Sequence, residues 1–583
     1  MCGIVGIVHS ACTLHETVQG LKRLEYRGYD SSGVAFLKNG DIQVCKVVGG
    51  PSMLVDPVSR LTGQGVSIGH TRWATHGEPS VANAHPHRSH HVALVHNGIV
   101  ENAPSIRSFL ENKGYAFVSQ TDTESLVHLL DWHYTQLASV DAAITAVLKE
   151  AKGHFAIACV FDDCPSTIVV ARSGTPPLLI GYGNGAIAVS SDPLGLPSAM
   201  QEISHLPSGT WARIQPSECT VFAMDGHVVD VQRCSNTTQY TQAQRQGFDH
   251  YMLKEIHEQP DMMRRLLGRS VDTLDTVFQR TQSRHVTLLG CGTSFYAAWV
   301  GKYFLEKKYS VSLELASEFH YRRPTMMPGV SLALSQSGET ADTLKAMDYA
   351  SGQGQVLGCI VNVEHSALPR MCSFSVPMQS GPEIGVASTK AFTAQVWALL
   401  AMTGCDAFGA LPDLMDQTIQ LADTIRAVAA TVQHSHSMLY VGRGVYYPIA
   451  LEGALKMKEL SYIHAEGVAA GELKHGTIAL IDDTMPVVVV APFDGLFTKT
   501  LSTLHEISAR KGRVIVITDP LGMQALHDGQ LPCTPIVVPA ASHDGVHPFL
   551  CVIVLQLLAY YTALLRGCSI DQPRNLAKSV TVE

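Results

Sequence analysis

Short apolar runs separated by turn residues fill the chain up to about residue 230. Ile4–Val8, Val66–Gly69, Val92–His96, Phe155–Phe161, Thr167–Ala171, Leu178–Gly181 and Ala186–Ser190 have the length and β-branched content of strands. Gly183-Asn184-Gly185 and Asp225-Gly226 carry hairpin chemistry, because tight hairpin turns need positive φ at their central residues. Apolar spacings of three and four predict helices over Leu14–Tyr26 and Glu124–Glu150. Strands with helices set between them predict a layered α+β domain.

From Cys234 to Gly247 the sequence turns polar and reads as a linker. Beyond it the pattern changes. A strand at Val286–Leu289 ends in Gly290-Cys291-Gly292-Thr293-Ser294 before a helix, and Leu332–Leu334 ends in Ser335-Gln336-Ser337-Gly338-Glu339-Thr340 before another. Strand, small-residue loop and helix in repetition is the pattern of a doubly wound parallel sheet. The unit recurs, with Tyr440-Val441-Gly442-Arg443-Gly444 aligned on Leu288-Leu289-Gly290-Cys291-Gly292. The expected organisation is a first domain over 2–222, a linker and connecting helix over 223–276, α/β copies over 277–415 and 429–573, and a tail over 574–583. Phe549–Leu565 is almost continuously apolar but interrupted by Gln556 and Thr562, and reads as a buried core or interface helix rather than a membrane span.

The 583 residues are 46% hydrophobic and 16% charged, enough apolar material for several cores and too much for a disordered chain. The net charge of −9, with no basic run, excludes a phosphate-backbone binder and so a nucleic-acid partner. The fourteen cysteines show no CxxC pair and no zinc spacing. They read as reduced thiols of a cytoplasmic protein, and the first residues predict no secretory signal.

Several residues could carry chemistry. Once Met1 is removed, Cys2 holds a thiol and a free α-amine, and an amine titrating near ~8 can serve as base toward its own thiol. Asn97-Gly98 offers a side-chain amide and a backbone N–H suited to an oxyanion, although the spacing alone favours a hairpin turn. Arg72 and Asp122 could hold the carboxylate and amine of a free amino acid, or form an ordinary surface ion pair.

Thr293, Ser294, Ser335, Gln336, Ser337 and Thr340 lie where parallel strands hand over to helices. Hydroxyls and amides at such a place bind a phosphate dianion without lysine. One serine-rich turn is an ordinary helix cap, but two at the carboxyl edge of one sheet favour phosphate. In the second copy Val445-Tyr446 replaces Thr293-Ser294, while Glu452, Lys456 and Glu459 fall at i, i+4, i+7 on one helical stripe. Apolar Ile449, Leu455 and Ile463 border that stripe, so a solvated Glu–Lys pair and a buried charged site both remain open. The segment His85–His91 lacks acidic or cysteine company and reads as a surface loop rather than a metal site.

Four runs, Cys2-Gly3-Ile4-Val5-Gly6, Arg23 to Ser31, Gly69-His70-Thr71-Arg72-Trp73-Ala74-Thr75-His76-Gly77 and His96-Asn97-Gly98-Ile99, resemble those of class II glutamine amidotransferases. With two sugar isomerase (SIS) domains behind them, the chain from Cys2 to Glu583 resembles the glucosamine-fructose-6-phosphate aminotransferase family. That resemblance implies an α+β N-terminal-nucleophile αββα sandwich followed by two α/β doubly wound parallel-sheet SIS domains. It also implies a cytoplasmic homodimer, without metal or cofactor, that makes D-glucosamine 6-phosphate and L-glutamate from D-fructose 6-phosphate and L-glutamine. This would be the first step of hexosamine formation, with ammonia channelled between two sites.

By the same resemblance Cys2 attacks the glutamine amide, Asn97 and Gly98 form the oxyanion hole, and Arg72, Thr75, His76 and Asp122 hold the glutamine. His85 helps frame that site, and Trp73 either gates the ammonia path or simply packs the core. Val386, Ser388 and Ala577 join the two Ser/Thr loops on the sugar phosphate. Glu459 shuttles the proton between sugar C1 and C2, with Glu452 and Lys456 tuning its charge. His475 of a neighbouring subunit opens the ring and Lys578 forms the Schiff base. Thr477 stands where many relatives have proline, and Gly467-Val468 replaces a bulkier pair. Two other functions stay in view: another class II amidotransferase, which would need a nucleotide or pyrophosphate loop, and a non-catalytic sugar-phosphate sensor, which would have no use for Cys2, Glu459, His475 and Lys578 together.

Overall fold

The computed structural model describes residues 2–9, 13–61, 65–183, 185–236, 243–279, 281, 283–405, 408–543 and 545–581. They form two compact units. The first is Met1–Tyr240 with Glu339–Ala341 and Ala577–Glu583, and the second is Thr241–Gly338 with Asp342–Leu576. The division falls inside the polar stretch 234–247, of which 237–242 lie outside the described residues. Cys234–Ser235 pairs with Glu202–Ile203 and so extends a sheet of the first unit.

The first unit stacks two antiparallel sheets, one of eight strands and one of six. Alternation along each strand builds the layers. In Val92–Val100, Ala93 and Val95 join the inter-sheet core with Ile4, Ile68 and Val170, while Val92 and Leu94 face a second core. That core includes Ile106, Leu126 and Ile144 of helices Ala103–Glu111, Asp122–Leu137 and Val140–Glu150. Helix Leu14–Arg23 covers the other sheet, close enough that a Cβ on Gly69 would fall 2.7 Å from Leu21. Helix, sheet, sheet, helix is the αββα sandwich.

Three local expectations are corrected. Glu124–Glu150 is two helices: Ala138 turns left-handed (φ 46°), and Ser139 caps the second helix by accepting from Ala142 N. Asn97 and Gly98 are not a hairpin turn; they lie inside the strand Val92–Val100, paired with Ala156 and Phe155. His85 and His87 are buried rather than on a surface loop, and His87–Arg88 forms a short strand against Ala93 and Leu94. A hairpin at Ser31–Lys38 and Asp41–Val48 escapes the sequence reading; Asn39 and Gly40, both at positive φ, make its turn.

The second unit holds two five-stranded parallel sheets. In chain order the strands of the first are His285–Gly290, Ser310–Leu315, Val330–Ser335, Val356–Val361 and Phe374–Pro377. Those of the second are Ser437–Gly442, His464–Ala469, Pro486–Val490, Arg513–Thr518 and Thr534–Val537. Both sheets have the spatial order second, first, third, fourth, fifth. The duplication read from the glycine motifs is therefore a duplication of topology. In this order the first and third strands are neighbours from which the chain departs in opposite directions, and the crevice at their carboxyl ends is where doubly wound folds bind ligands. Helix His547–Leu565 is buried in its own unit for most of its length. Its polar interruptions are satisfied there: Gln556 accepts from Gln259 Nε2 at 2.8 Å, and Thr562 donates to Leu558 O. A helix covered by its own chain gives no argument for a dimer.

Candidate active sites

The strand Gly3–His9 presents Cys2 at its start, next to the end of Val66–Arg72. The half-buried thiol contacts the main chain of Trp73, accepting from its N–H at 3.4 Å. Cys2 lines a small cleft with Arg72, Trp73, Thr75, His76, His85, His96, Gly98 and Asp122. Burial raises the thiol pKa; the N-terminal positive charge, the Trp73 N–H and the guanidinium groups of Arg72 and Arg27 pull the other way. Arg72 and Asp122 form no ion pair. Arg72 donates to the carbonyls of His76 and Gly77 and so holds the loop after Trp73, while Asp122 accepts from Val100 N at 2.9 Å. Thr75 and His76 are exposed on that loop.

Asn97 sits behind Cys2. Its Nδ2 donates to Cys2 O (3.2 Å) and to Ser191 Oγ (2.8 Å), and its Oδ1 lies 3.1 Å from His70 Nε2. Gly98 adopts φ +121°, and a Cβ there would stand 2.1 Å from His154 O, so only glycine fits. Arg27, also buried, donates to Cys2 O at 3.1 Å.

Four buried imidazoles support this corner. His70 and His85 lie against each other with centroids 4.1 Å apart and planes tilted by 31°, and His85 approaches both His87 and His96. The hydrogen bonds fix two of the protons. His96 N–H donates to His85 Nδ1, so His85 carries its proton on Nε2 and gives it to Thr123 Oγ1. The Thr123 hydroxyl is then left to donate to His96 Nδ1. Burial, reinforced by His96 and Arg72, lowers His70 to about 3, and burial drives His85 and His87 well below the usual imidazole range. The cluster is neutral at pH 7. Among the described residues no group of histidine, cysteine or acidic side chains is arranged to hold a metal ion.

In the second unit, Thr293 and Ser294 occupy the first turn of helix Gly292–Leu305, and Ser335 closes its strand by accepting from Gly338 N at 2.9 Å. Gly338 has φ +66°, and a Cβ there would overlap Ser366, so the turn through Gln336 and Ser337 requires glycine. Thr340 groups with the first unit, beside tail residues Ala577 and Lys578, and Ala341 N donates to Val580 O. The tail is largely buried at Ser579 and Thr581.

On the charged stripe of helix Tyr446–Ser461, Glu452 and Lys456 are buried and Glu459 is partly exposed. Lys456 lies 2.5 Å from Glu459 and 3.5 Å from Glu452, and Thr293 Oγ1 donates to Glu452 at 3.2 Å. Burial pushes Glu452 up to about 8 against the attraction of Lys456. Burial also opposes the charge on Lys456, but Glu452 and Glu459 outweigh it and hold that pKa above its ordinary value. His475 is exposed, in a single helical turn that ends at Gly476. Val386 is buried and Ser388 donates to Glu383 at 3.0 Å.

Three supporting residues escape the sequence reading. Buried Glu255 accepts from Ile384 N and Gly385 N, Asp571 O accepts from Val386 N, and Glu383 accepts from Thr389 N and Ala391 N. Together they claim most main-chain donors of the loop that carries Val386 and Ser388. For Glu255 a signal existed: it stands on the stripe Met252, Glu255, Ile256, Gln259, where a charge is out of place unless bonded.

Comparison with known proteins agrees with this architecture. Residues 70–197 match the glutamine amidotransferase domain family, and residues 281–403 and 431–566 match the SIS domain family. Over the full length of both chains, the sequence is 42% identical to a glutamine–fructose-6-phosphate aminotransferase (isomerizing) of Bradyrhizobium diazoefficiens and 41% identical to that of Zymomonas mobilis. The solved C-terminal domain of a glucosamine-fructose-6-phosphate aminotransferase from Francisella tularensis is 37% identical, with TM-score 0.53, covering 56% of this chain and all of that one. The chain belongs to the isomerizing glutamine–fructose-6-phosphate aminotransferase family.

Proposed function

We propose that the chain converts D-fructose 6-phosphate and L-glutamine into D-glucosamine 6-phosphate and L-glutamate. The observation that carries this reading is that the first unit gathers a half-buried thiol, an amide donor and an arginine-held loop, and that the second carries the stripe of Glu452, Lys456 and Glu459. Cys2 Sγ adds to the glutamine amide carbon, and Asn97 and Gly98 donate to the resulting oxyanion. Collapse expels ammonia and leaves a thioester, which water cleaves to glutamate. Arg72, Thr75, His76 and Asp122 hold the amino acid, and Trp73 borders the ammonia exit.

Thr293, Ser294, Ser335, Gln336, Ser337 and Thr340, with Val386, Ser388 and Ala577, hold the sugar phosphate. Lys578 condenses with the open-chain ketone, ammonia displaces it, and Glu459 moves a proton from C1 to C2. Glu452 and Lys456 set the charge around Glu459. The exposure of His475 supports its supply to a neighbouring subunit, and hence a homodimer. That no disulfide joins the described cysteines supports a cytoplasmic setting.

The test is product formation with Cys2→Ala. It should abolish glutamine hydrolysis and glutamine-dependent synthesis while isomerisation of fructose 6-phosphate persists. Near wild-type glutamine hydrolysis by this variant, or retained Met1 in the active protein by intact mass, would overturn the assignment.

A further inference from the structure

We propose that His70 is a positioning residue of the glutaminase centre: it fixes the orientation of the Asn97 carboxamide, so that the NH2 group and not the carbonyl oxygen faces the reacting carbon. The inference rests on the assignment of Cys2 and Asn97 above and extends it to a residue with no role there.

A primary amide is nearly symmetric in shape, so packing alone does not choose between its two flips. In one flip Asn97 offers a donor to a developing oxyanion; in the other it offers a carbonyl dipole of the wrong sign. Three neighbours bear on the choice. Cys2 O and Ser191 Oγ accept from Nδ2 at 3.2 and 2.8 Å, and His70 Nε2 faces Oδ1 at 3.1 Å. Ser191 is a hydroxyl and can donate or accept, so it tolerates either flip. The Cys2 carbonyl selects the correct flip at rest. When an N–H turns to the oxyanion, that hold weakens, because the two acceptors compete for one NH2 group. His70, its proton already placed on Nε2 by the resting flip, then remains as the neighbour donating to Oδ1.

His70 can do this because its ring is held and its proton placed. With both Nδ2 hydrogens committed, Oδ1 is the atom toward His70, so Nε2 carries the hydrogen. The ring is fully buried and packs at a tilt against His85, which is pinned by the His96 main-chain N–H and Thr123. Burial keeps the imidazole neutral at working pH. The strand places it: in Val66, Ile68, His70, Arg72 the alternation turns His70 to the same side as the inter-sheet core residues Val66 and Ile68. A histidine in an apolar phase of a strand needs a partner, and Asn97 is that partner.

The test is a double-mutant cycle in the full chain, with sugar isomerisation as the control for folding. His70→Phe should lower kcat for glutamine hydrolysis about 10²-fold, the order seen when one oxyanion donor is lost, with KM for glutamine within about twofold. In an Asn97→Ala background the same change should cost nothing further. His70→Gln, which keeps an N–H donor, should recover most of the rate. A glutamine analogue bearing an aldehyde adds the thiol to give a tetrahedral adduct, so its affinity should fall with kcat while that of L-glutamate stays. Equal losses of His70→Phe in both backgrounds, or a raised KM at unchanged kcat, would overturn the proposal. If His70→Phe does not fold, His70→Leu, which also lacks a donor, takes its place in the cycle, and equal losses of aldehyde and glutamate affinity in that variant would overturn the proposal. Glutamine hydrolysis retained by Cys2→Ala would instead sink the underlying assignment, so the two failures are distinct.

Discussion

The two α/β copies share a strand order, and in each a long helix follows the first strand. The helix after Gly290 opens with Thr293 and Ser294 at its first turn; its counterpart after Gly442 opens with Tyr446 and carries its polar atoms deeper, at Glu452, Lys456 and Glu459. A helix N-terminus offers N–H groups and hydroxyls to an anion, whereas a buried stripe midway along a helix offers titratable groups of shifted pKa. Duplication thus gave one scaffold two chemical addresses, and Thr293 donating to Glu452 joins them. On our reading the first copy binds and the second transforms.

That division can be broken by kinetics. The largest effect should come from the second copy: Glu459→Gln should lower glucosamine 6-phosphate formation by about 10²–10⁴-fold through kcat, the range for loss of a general base, with little change in KM for fructose 6-phosphate. Steady-state assays with saturating glutamine decide it; a loss confined to KM would place Glu459 among the binding groups. In the first copy Ser337→Ala should act the other way, raising KM for fructose 6-phosphate by about tenfold, the order expected of one charge-assisted hydrogen bond, with kcat nearly unchanged. Equal effects of both variants on kcat would erase the distinction between the copies.

A smaller effect separates the two units by pH. The buried histidines of the first unit stay neutral when folded, but in the unfolded chain they protonate near 6.5. The unfolded state then binds more protons, so stability falls as pH drops below about 6.5, by roughly 1.4 kcal/mol per pH unit for each such histidine. Glu452 has the opposite sign. Its folded pKa of about 8 lies above the ordinary 4.5, so the folded state holds the extra proton in that window. Stability present at low pH is therefore lost as pH rises from 4.5 to about 8. Thermal inactivation of glutamine hydrolysis should worsen toward pH 5, and that of isomerisation toward pH 8. His87→Phe should flatten the first slope and Glu452→Gln the second. Slopes of the same sign for both activities would contradict this electrostatic contrast.

The sequence by itself determined the parallel-sheet pattern, its repetition, the placing of Glu452, Lys456 and Glu459 on one helical stripe and the run that opens at Cys2, because each is a short-range period or motif that one element satisfies alone. Tertiary structure decided the rest. Asn97-Gly98 has the local preference of a turn, but pairing with Phe155 and Ala156 extends the strand through it, and Gly98 fits only because it lacks a Cβ against His154 O. His85 and His87 look like a polar loop until Thr121, Thr123 and the His96 main chain supply their hydrogen bonds. His70, Glu255 and Asp571 show their use only once the partners they serve, far along the chain, are folded against them. The physical reason is common to all of them. A polar side chain is stable in a core only when its partners are in place, and those partners come from distant segments that no local pattern brings together.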